Sequence, residues 1–492
     1  MARRHRPDAA RLLSLALVAL AAACVGDRSM EGPADAAAAA DTAGLPVAVG
    51  SVVPVLVGGP DRPAAPVDPA ARPVFTRPQH VKGIYLTAWS AGSSRRLEAL
   101  IELARRTEVN AFVIDIKDAS GYVSHDTGVP LAREIGATGE RRIADLPGLL
   151  ERLEAEGIWP IARIVIVQDP LLAAARPALA AQDAAGRPWK DSKGHHWLNA
   201  AQRGVWDYHL DLAEEVVAMG FPEIQWDYVR FPDAPRSEMA NVRFPGLDRP
   251  KEDVIRDFLG YARERLDALD PDVQMTADVF GITTSTQDVG IGQVWERFID
   301  RVDVALPMVY PSHYYRASFG YARPNFYPYE VVRAALEGAQ RKSAGIQGAG
   351  SIRPWLQDFD LGQPAYDAPE VRAQIQAAAD VGIQEWVLWN PGSRYTEGAL
   401  APADGWNGNE PSIRIAEQIV PMSRRFDVLA ERAQGRREGQ APAPPAAPRT
   451  PAPAPEPAES APAEPERRAP DGERPRVLDR DSLRAWMDSV QR

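Results

Sequence analysis

The sequence predicts an α/β protein whose central domain is a (β/α)8 TIM barrel, carried between disordered Pro/Ala-rich N- and C-terminal extensions. Three observations predict it. Across residues 76–434, short apolar runs rich in Val, Ile, Trp and Tyr alternate with longer stretches of helical spacing, as parallel strands joined by crossover helices do. Most of these runs end abruptly in charged or amide residues, which gathers polar chemistry at one end of a barrel. Outside that region the composition collapses to Ala, Pro, Gly, Asp and Glu, which cannot bury a core.

In chain order, Val81 to Trp89 reads as a first strand, and Leu97, Leu100, Ile101 and Ala104 lie on one helical face after it. Ala111 to Ile116 is a second strand and Leu146 to Leu153 a second helix. Trp159 to Val167 is a third strand. A helix over Val205 to Met219 leads into a fourth strand, Glu223 to Asp227. Val254, Phe258, Ala262 and Leu266 space a helix closed by Asp270-Pro271. Gln274 to Phe280 and Val302 to Pro307 are strands five and six, with a short helix near Val294 to Ile299 between them. Tyr329 to Lys342 is helical, and Ser351 to Gln357 supplies strand seven. Asp367 followed by Glu370 marks a helix start with a capping box. Trp386 to Trp389 is strand eight. A doubly wound open sheet is the competing arrangement, but Ala88-Trp89-Ser90-Ala91-Gly92 stands where its Gly-rich fingerprint belongs.

The chain has 492 residues, a net charge of −11 and one cysteine, Cys24. No basic stripe stands out, so a nucleic-acid partner is not expected. Arg3-Arg4-His5-Arg6 precedes an apolar run from Leu12 to Ala22 that is too short to span a bilayer. It ends in Leu20-Ala21-Ala22-Ala23-Cys24, which resembles a bacterial lipoprotein signal with Cys24 as the lipidated residue and membrane anchor. An ordinary secretory peptide is the alternative, and both imply export. Residues 25–75 then form a flexible tether with a reach of roughly 40 Å. Residues 435–475 are a Pro/Ala/Glu linker, with 12 Pro between Ala441 and Pro475. Residues 476–492 carry Leu478, Leu483, Trp486, Met487 and Val490 near helical spacing.

The most informative run is Gln225-Trp226-Asp227-Tyr228-Val229-Arg230-Phe231-Pro232-Asp233. A buried strand that ends in a carboxylate needs a use or a partner for it. Arg230 is the expected partner of Asp227, and a structural ion pair between them is the plain alternative. Alternation puts Asp227 and Trp226 on opposite faces, with Tyr228 on the Trp226 side. Asp278, at the end of strand five among Thr276, Ala277, Val279 and Phe280, lies in an apolar setting that raises a carboxyl pKa. Two carboxyls on neighbouring strands suit glycosidic bond cleavage, Asp227 as nucleophile and Asp278 as acid. Asp115 and Lys117 end strand two on one face, and Asp115 is read as substrate-binding beside its ion-pair neighbour. Arg163, Tyr228, Arg230, Tyr310, His313, Gln357, Trp389 and Asn390 complete the expected substrate-binding rim.

Trp89, Trp189, Trp197, Trp355, Trp389 and Trp406 fall at strand ends or in loops, where a flat aromatic suits the apolar face of a sugar ring. Trp159, Trp295 and Trp386 are assigned to packing. No HxH or HExxH spacing occurs, so neither a metal nor another cofactor is expected. No GxSxG follows a strand, so a serine nucleophile is not indicated.

The segments VKGIYLTAW, NAFVIDIKD, SGYV, PIARIVIVQD, WDYVRFPD, ADVFG, PMVYPSHY and WVLWNPGSRY, in order from about His80 to Tyr395, together resemble a bacterial glycoside hydrolase-like family, a domain of unknown function. The resemblance implies a TIM barrel related to the alpha-amylase and alpha-galactosidase clans, whose nucleophilic Asp at the end of strand four falls on Asp227. The amylase type takes its acid from a Glu at the end of strand five, where this chain has Asp278. The galactosidase type takes it from strand six, where Tyr310 and His313 stand and no carboxylate does. The expectation is an exported hydrolase of an envelope or extracellular polysaccharide or oligosaccharide. A non-catalytic glycan-binding envelope lipoprotein is the alternative.

Overall fold

The computed structural model describes residues 72–286 and 289–438. Cys24, the tether as far as residue 71, and the linker and terminal segment beyond residue 438 lie outside the described residues. Eight parallel positions close into a barrel: β1 (Lys82–Leu86), β2 (Ala111–Lys117), β3 (Trp159–Val165), β4 (Glu223–Asp227), β5 (Gln274–Phe280), β6 (Val304–Met308), β7 in two pieces (Ser351–Ile352 and Trp355–Gln357) and β8 (Trp386–Trp389). Each strand pairs with its sequence neighbours, and β8 pairs with β1 to shut the ring. The (β/α)8 expectation therefore holds, and with it the exclusion of an open sheet. Pro354 explains the break in β7, since it has no N–H to give to the ladder.

Alternation divides the core in two. Ile84, Ile114, Ala162, Ile164, Ile224 and Trp226 face outward into the layer under the helices. Tyr85, Val113, Ile161, Leu306, Trp355 and Val387 fill the lumen. The helices of that outer layer are α1 (Ser94–Arg106), α2 (Leu146–Ala155), α3 (Arg203–Met219), α4 (Lys251–Leu269), the single turn α5 (Trp295–Phe298), α6 (Pro328–Ser343) and α7 (Ala368–Asp380). On α1, Leu100, Ile101 and Ala104 are buried as their spacing predicts. Asp270 closes α4. The floor of the lumen carries a buried polar network. Trp159 Nε1 donates to Glu223 (2.8 Å), which also pairs with the fully buried Arg353 (2.6 Å), and Arg353 reaches Glu385 (2.9 Å).

Asp367 and Glu370 form the expected capping box at the start of α7. Glu370 is used twice, because Arg414 of the hairpin β9 (Ser412–Ile415) and β10 (Gln418–Pro421) donates to its other oxygen at 2.5 Å. Asp367→Ala is expected to lower stability by about 0.5–2 kcal/mol, read as a lower urea midpoint with unchanged slope. The end of the expected tether is docked rather than free. Val74 N–H binds Glu154 (2.8 Å), Arg72 pairs with Asp270 (2.9 Å), and Phe75 packs on the core.

Candidate active site

The carboxyl ends of the strands carry a narrow cleft open to solvent. At its base sits Arg163 of β3, with 5% of its surface exposed. Register places Arg163 beside Asp115 of β2 and Gln225 of β4. Its guanidinium donates to Asp115, and through Nε (3.0 Å) and a second, shorter contact to Oδ2 of Asp227. Nε also lies 3.9 Å from Oδ2 of Asp278 on β5. One buried cation thus gathers the carboxyls of three strands.

The two cleft carboxyls have different surroundings. Oδ1 of Asp227 accepts the N–H of Tyr228 at 2.6 Å. Tyr228 itself has a φ of 56°, a left-handed conformation costly for a bulky residue and typical of functional turns. Asp278 has neutral donors instead: the Gln225 amide (2.7 Å) and the Trp355 indole (2.6 Å) both reach Oδ1. Burial, reinforced by the nearby charge of Asp227, pushes the Asp278 carboxyl well above the usual range. Burial also raises Asp115, against the opposing pull of Arg163, and Tyr85 donates to its Oδ2 at 2.5 Å.

Arg163, Asp227 and Asp278 line the cleft together with Tyr228, Arg230 and Tyr310. Trp355 and Trp389 supply its aromatic wall, with Phe280 and Met308. Tyr85 stacks on Trp389 at 4.0 Å, and Arg163 packs 5.4 Å from that ring. Tyr228 shares the cleft with Asp227, contrary to strict alternation, because its positive φ turns the chain over.

Several expected residues have other partners or lie outside the cleft. Arg230 pairs with Asp233 (2.5 Å), not with Asp227. The turn through Tyr228 aims it forward, where its guanidinium lies against the rings of Trp197, Tyr228 and Phe280. Lys117 does not reach the cleft. A register shift between Asp115 and Lys117 breaks the expected shared face. Lys117 is fully buried against Asp169 (3.0 Å) and the carbonyl of Val165 (2.9 Å). Asp115 acts on the site through Arg163 rather than from the cleft lining. His313 packs behind the cleft against Tyr310 and Phe359, with Nδ1 2.8 Å from Ser312 Oγ. The amide of Gln357 is engaged by Ser312 N–H (3.1 Å) and the Phe359 carbonyl (2.9 Å). Asn390 organises its own turn by accepting from Gly392 and Arg394 and donating to the Asp358 carbonyl. Each amide is claimed both by its own turn and by one distant backbone atom, Ser312 N–H for Gln357 and the Asp358 carbonyl for Asn390.

Among the other tryptophans, Trp189 and Trp197 are buried, and Trp406 packs over Arg372. Trp159, Trp295 and Trp386 are buried in packing, as expected. Sequence reasoning missed Tyr85 and Gln225 as site residues. Gln225 was accessible to it, because a residue two places before Asp227 shares its face. Among the described residues, no three His, Cys, Asp or Glu side chains group to hold a metal ion. No helix among them is long and apolar enough to cross a membrane.

The profile of the family described as "Putative glycosyl hydrolase domain" matches residues 83–395, which span every barrel strand but the first residue of β1. The chain belongs to this glycosyl hydrolase family. A hypothetical protein from Ruminiclostridium thermocellum ATCC 27405 is 38% identical over 40% of this chain and 97% of its own, with a TM-score of 0.36. The glycoside hydrolase domain of PgaB (BpsB) from Bordetella bronchiseptica is 13% identical over 64% of this chain and 95% of its own, with a TM-score of 0.47. The alpha-galactosidase TtGalA from Thermus thermophilus is 14% identical over 72% of this chain and 68% of its own, with a TM-score of 0.40. None of the curated proteins matches this chain. Within the glycosyl hydrolase domain, the matched span contains Tyr85, Asp115, Arg163, Asp227 and Asp278.

Proposed function

We propose that this protein hydrolyses glycosidic bonds of an envelope or extracellular glycan, with Asp227 as nucleophile and Asp278 as general acid. The observation that carries the reading is the contrast between adjacent strand ends. Asp227 is gripped by a guanidinium and is suited to carry negative charge to an anomeric carbon. Asp278 is buried and held by neutral donors, which suits a carboxyl that stays protonated until it gives its proton to the leaving oxygen. Arg163 bridges the two. Their Oδ2 atoms can be no further apart than the sum of their distances to Nε, 3.0 and 3.9 Å. That ceiling barely enters the range of about 6.5–9.5 Å typical of inverting pairs, and it accommodates the ~5–5.5 Å of retaining ones. We therefore assign retention through a glycosyl-Asp227 ester, which water then hydrolyses with Asp278 acting as base. The resemblance of Leu20-Ala21-Ala22-Ala23-Cys24 to a lipoprotein signal is what favours a substrate outside the cytoplasm.

The test is release of reducing ends by the purified protein across a panel of neutral, amino and acidic polysaccharides. Release with retained anomeric configuration is expected. Binding of a glycan with no reducing-end release by any of them identifies a binding protein instead. The pH profile provides a second check. Asp278 must be protonated to act as acid, so kcat/KM is expected to fall as pH rises through its elevated pKa. Asp278→Asn is expected to remove that alkaline limb and to slow ordinary glycosides by about 10²–10⁴-fold. Dinitrophenyl glycosides, whose leaving group needs no proton, are expected to lose far less. An equal loss on both substrate types rules out the acid role.

A further inference from the structure

Trp89 is left unused by the cleft, yet it is the most exposed tryptophan among the described residues, at 59%. It stands on the helical turn Ala88–Ala91 that follows β1, at the same barrel end as the cleft. The turn is rigidly held. Thr87 Oγ1 accepts Ser90 N–H at 3.1 Å, and a Cβ on Gly92 would meet the Arg142 carbonyl at 1.9 Å. Behind the ring, the Arg142 guanidinium lies 5.4 Å from its centroid. The Arg142 side chain is only 5% exposed and is fixed by Asp118 (2.5 Å), Glu140 (2.8 Å) and Ser120 (3.0 Å). One face of Trp89 is therefore backed by a buried cation, and the exposure belongs to the rest of the ring.

We infer that Trp89 is an outer subsite on which a sugar ring of the same glycan chain stacks, so that the substrate is a polymer rather than a short glycoside. This rests on the hydrolase reading above and extends it. Continuity with the cleft supports it. Asp118, which anchors Arg142, follows Asp115 by three residues, and its charge acts on both Asp115 and Tyr85. Trp89 stands four positions after Tyr85, which limits their Cα separation to at most about 14 Å, a span of a few linked sugar rings. The side chains of Asp118 and Glu140, 30% and 42% exposed, add acceptor oxygens around the Arg142 guanidinium that backs the ring. They suit hydroxyl or amino groups and disfavour a polyanionic chain. They equally disfavour an anionic membrane, the other surface on which an exposed indole commonly rests.

The experiment is affinity electrophoresis of the Asp227→Asn protein through gels containing β-glucan, chitosan or alginate, with and without Trp89→Ala. Sedimentation with phosphatidylglycerol vesicles runs beside it. Retardation by a neutral or amino glycan, weakened roughly tenfold by Trp89→Ala and less by Trp89→Phe, is expected. On the active protein, Trp89→Ala should raise KM for that polymer by roughly tenfold more than for an aryl glycoside. Equal retardation with and without Trp89, beside intact hydrolysis by the unmutated protein, overturns the subsite and leaves the hydrolase reading standing. Retardation by alginate alone, or vesicle binding that requires Trp89, overturns the assigned ligand. No retardation and no hydrolysis overturn both readings together.

Discussion

Replacing Asp227 with Asn is expected to cut turnover of any glycan the protein cleaves by roughly 10⁴-fold or more, while affinity for that glycan stays nearly unchanged. An amide has the same shape but cannot form the glycosyl ester or carry the charge that stabilises a developing oxocarbenium ion. The variant keeps the Tyr228 N–H bond to Oδ1 and the Arg163 contact with Asp115, and it gives up the two Arg163 bonds to Oδ2. A matching 2-fluoro glycoside incubated with the unmutated protein is expected to add one glycosyl mass to the peptide that contains Asp227. Substantial residual turnover in the variant, or the label on another carboxyl, removes Asp227 from the nucleophile's role.

Arg163→Met is expected to cost about 3–5 kcal/mol of stability at neutral pH, in addition to activity. Arg163 is the buried cation among Asp115, Asp227 and Asp278. Methionine fills much of the volume but leaves these carboxyls with no positive partner in a dry site. The sign of the pH dependence follows. Burial raises Asp115 and Asp278 above their unfolded values, so their protonated forms favour the fold at low pH, and that contribution is lost as pH rises through the elevated pKa values. Without Arg163 the elevation grows, because its opposing pull on both groups is gone. The penalty is therefore expected to shrink on acidification towards pH 5 and to widen towards pH 8, measured by urea unfolding of both proteins. A penalty independent of pH indicates lost packing against Tyr85 and Trp389 rather than lost charge.

The barrel was legible because its cause is local and repeated. Strands such as Gln274–Phe280 and Trp386–Trp389, and the Asp367–Glu370 helix start, are written in spacing and capping chemistry that a linear pattern exposes. The same holds for the placement of Asp227 and Asp278, since polar residues closing apolar strands mark the mouth of a barrel. Partners were not legible in this way. Arg230 was the natural neighbour of Asp227 in the chain, yet Arg163, 64 residues earlier, holds it. Lys117 was expected beside Asp115 until one irregularity in β2 turned it away.

From sequence alone, then, come the number and order of the strands, the end at which the carboxyls collect, and the motifs that place the chain in its family. Tertiary structure alone decided which cation serves which carboxyl, that Gln225 and Trp355 hold Asp278, and that His313, Gln357 and Asn390 turn to other tasks. The physical reason is that periodicity depends on a few neighbouring residues. A charge in a closed lumen instead responds to whatever the other strands bring within a few ångströms, and ring closure sets that.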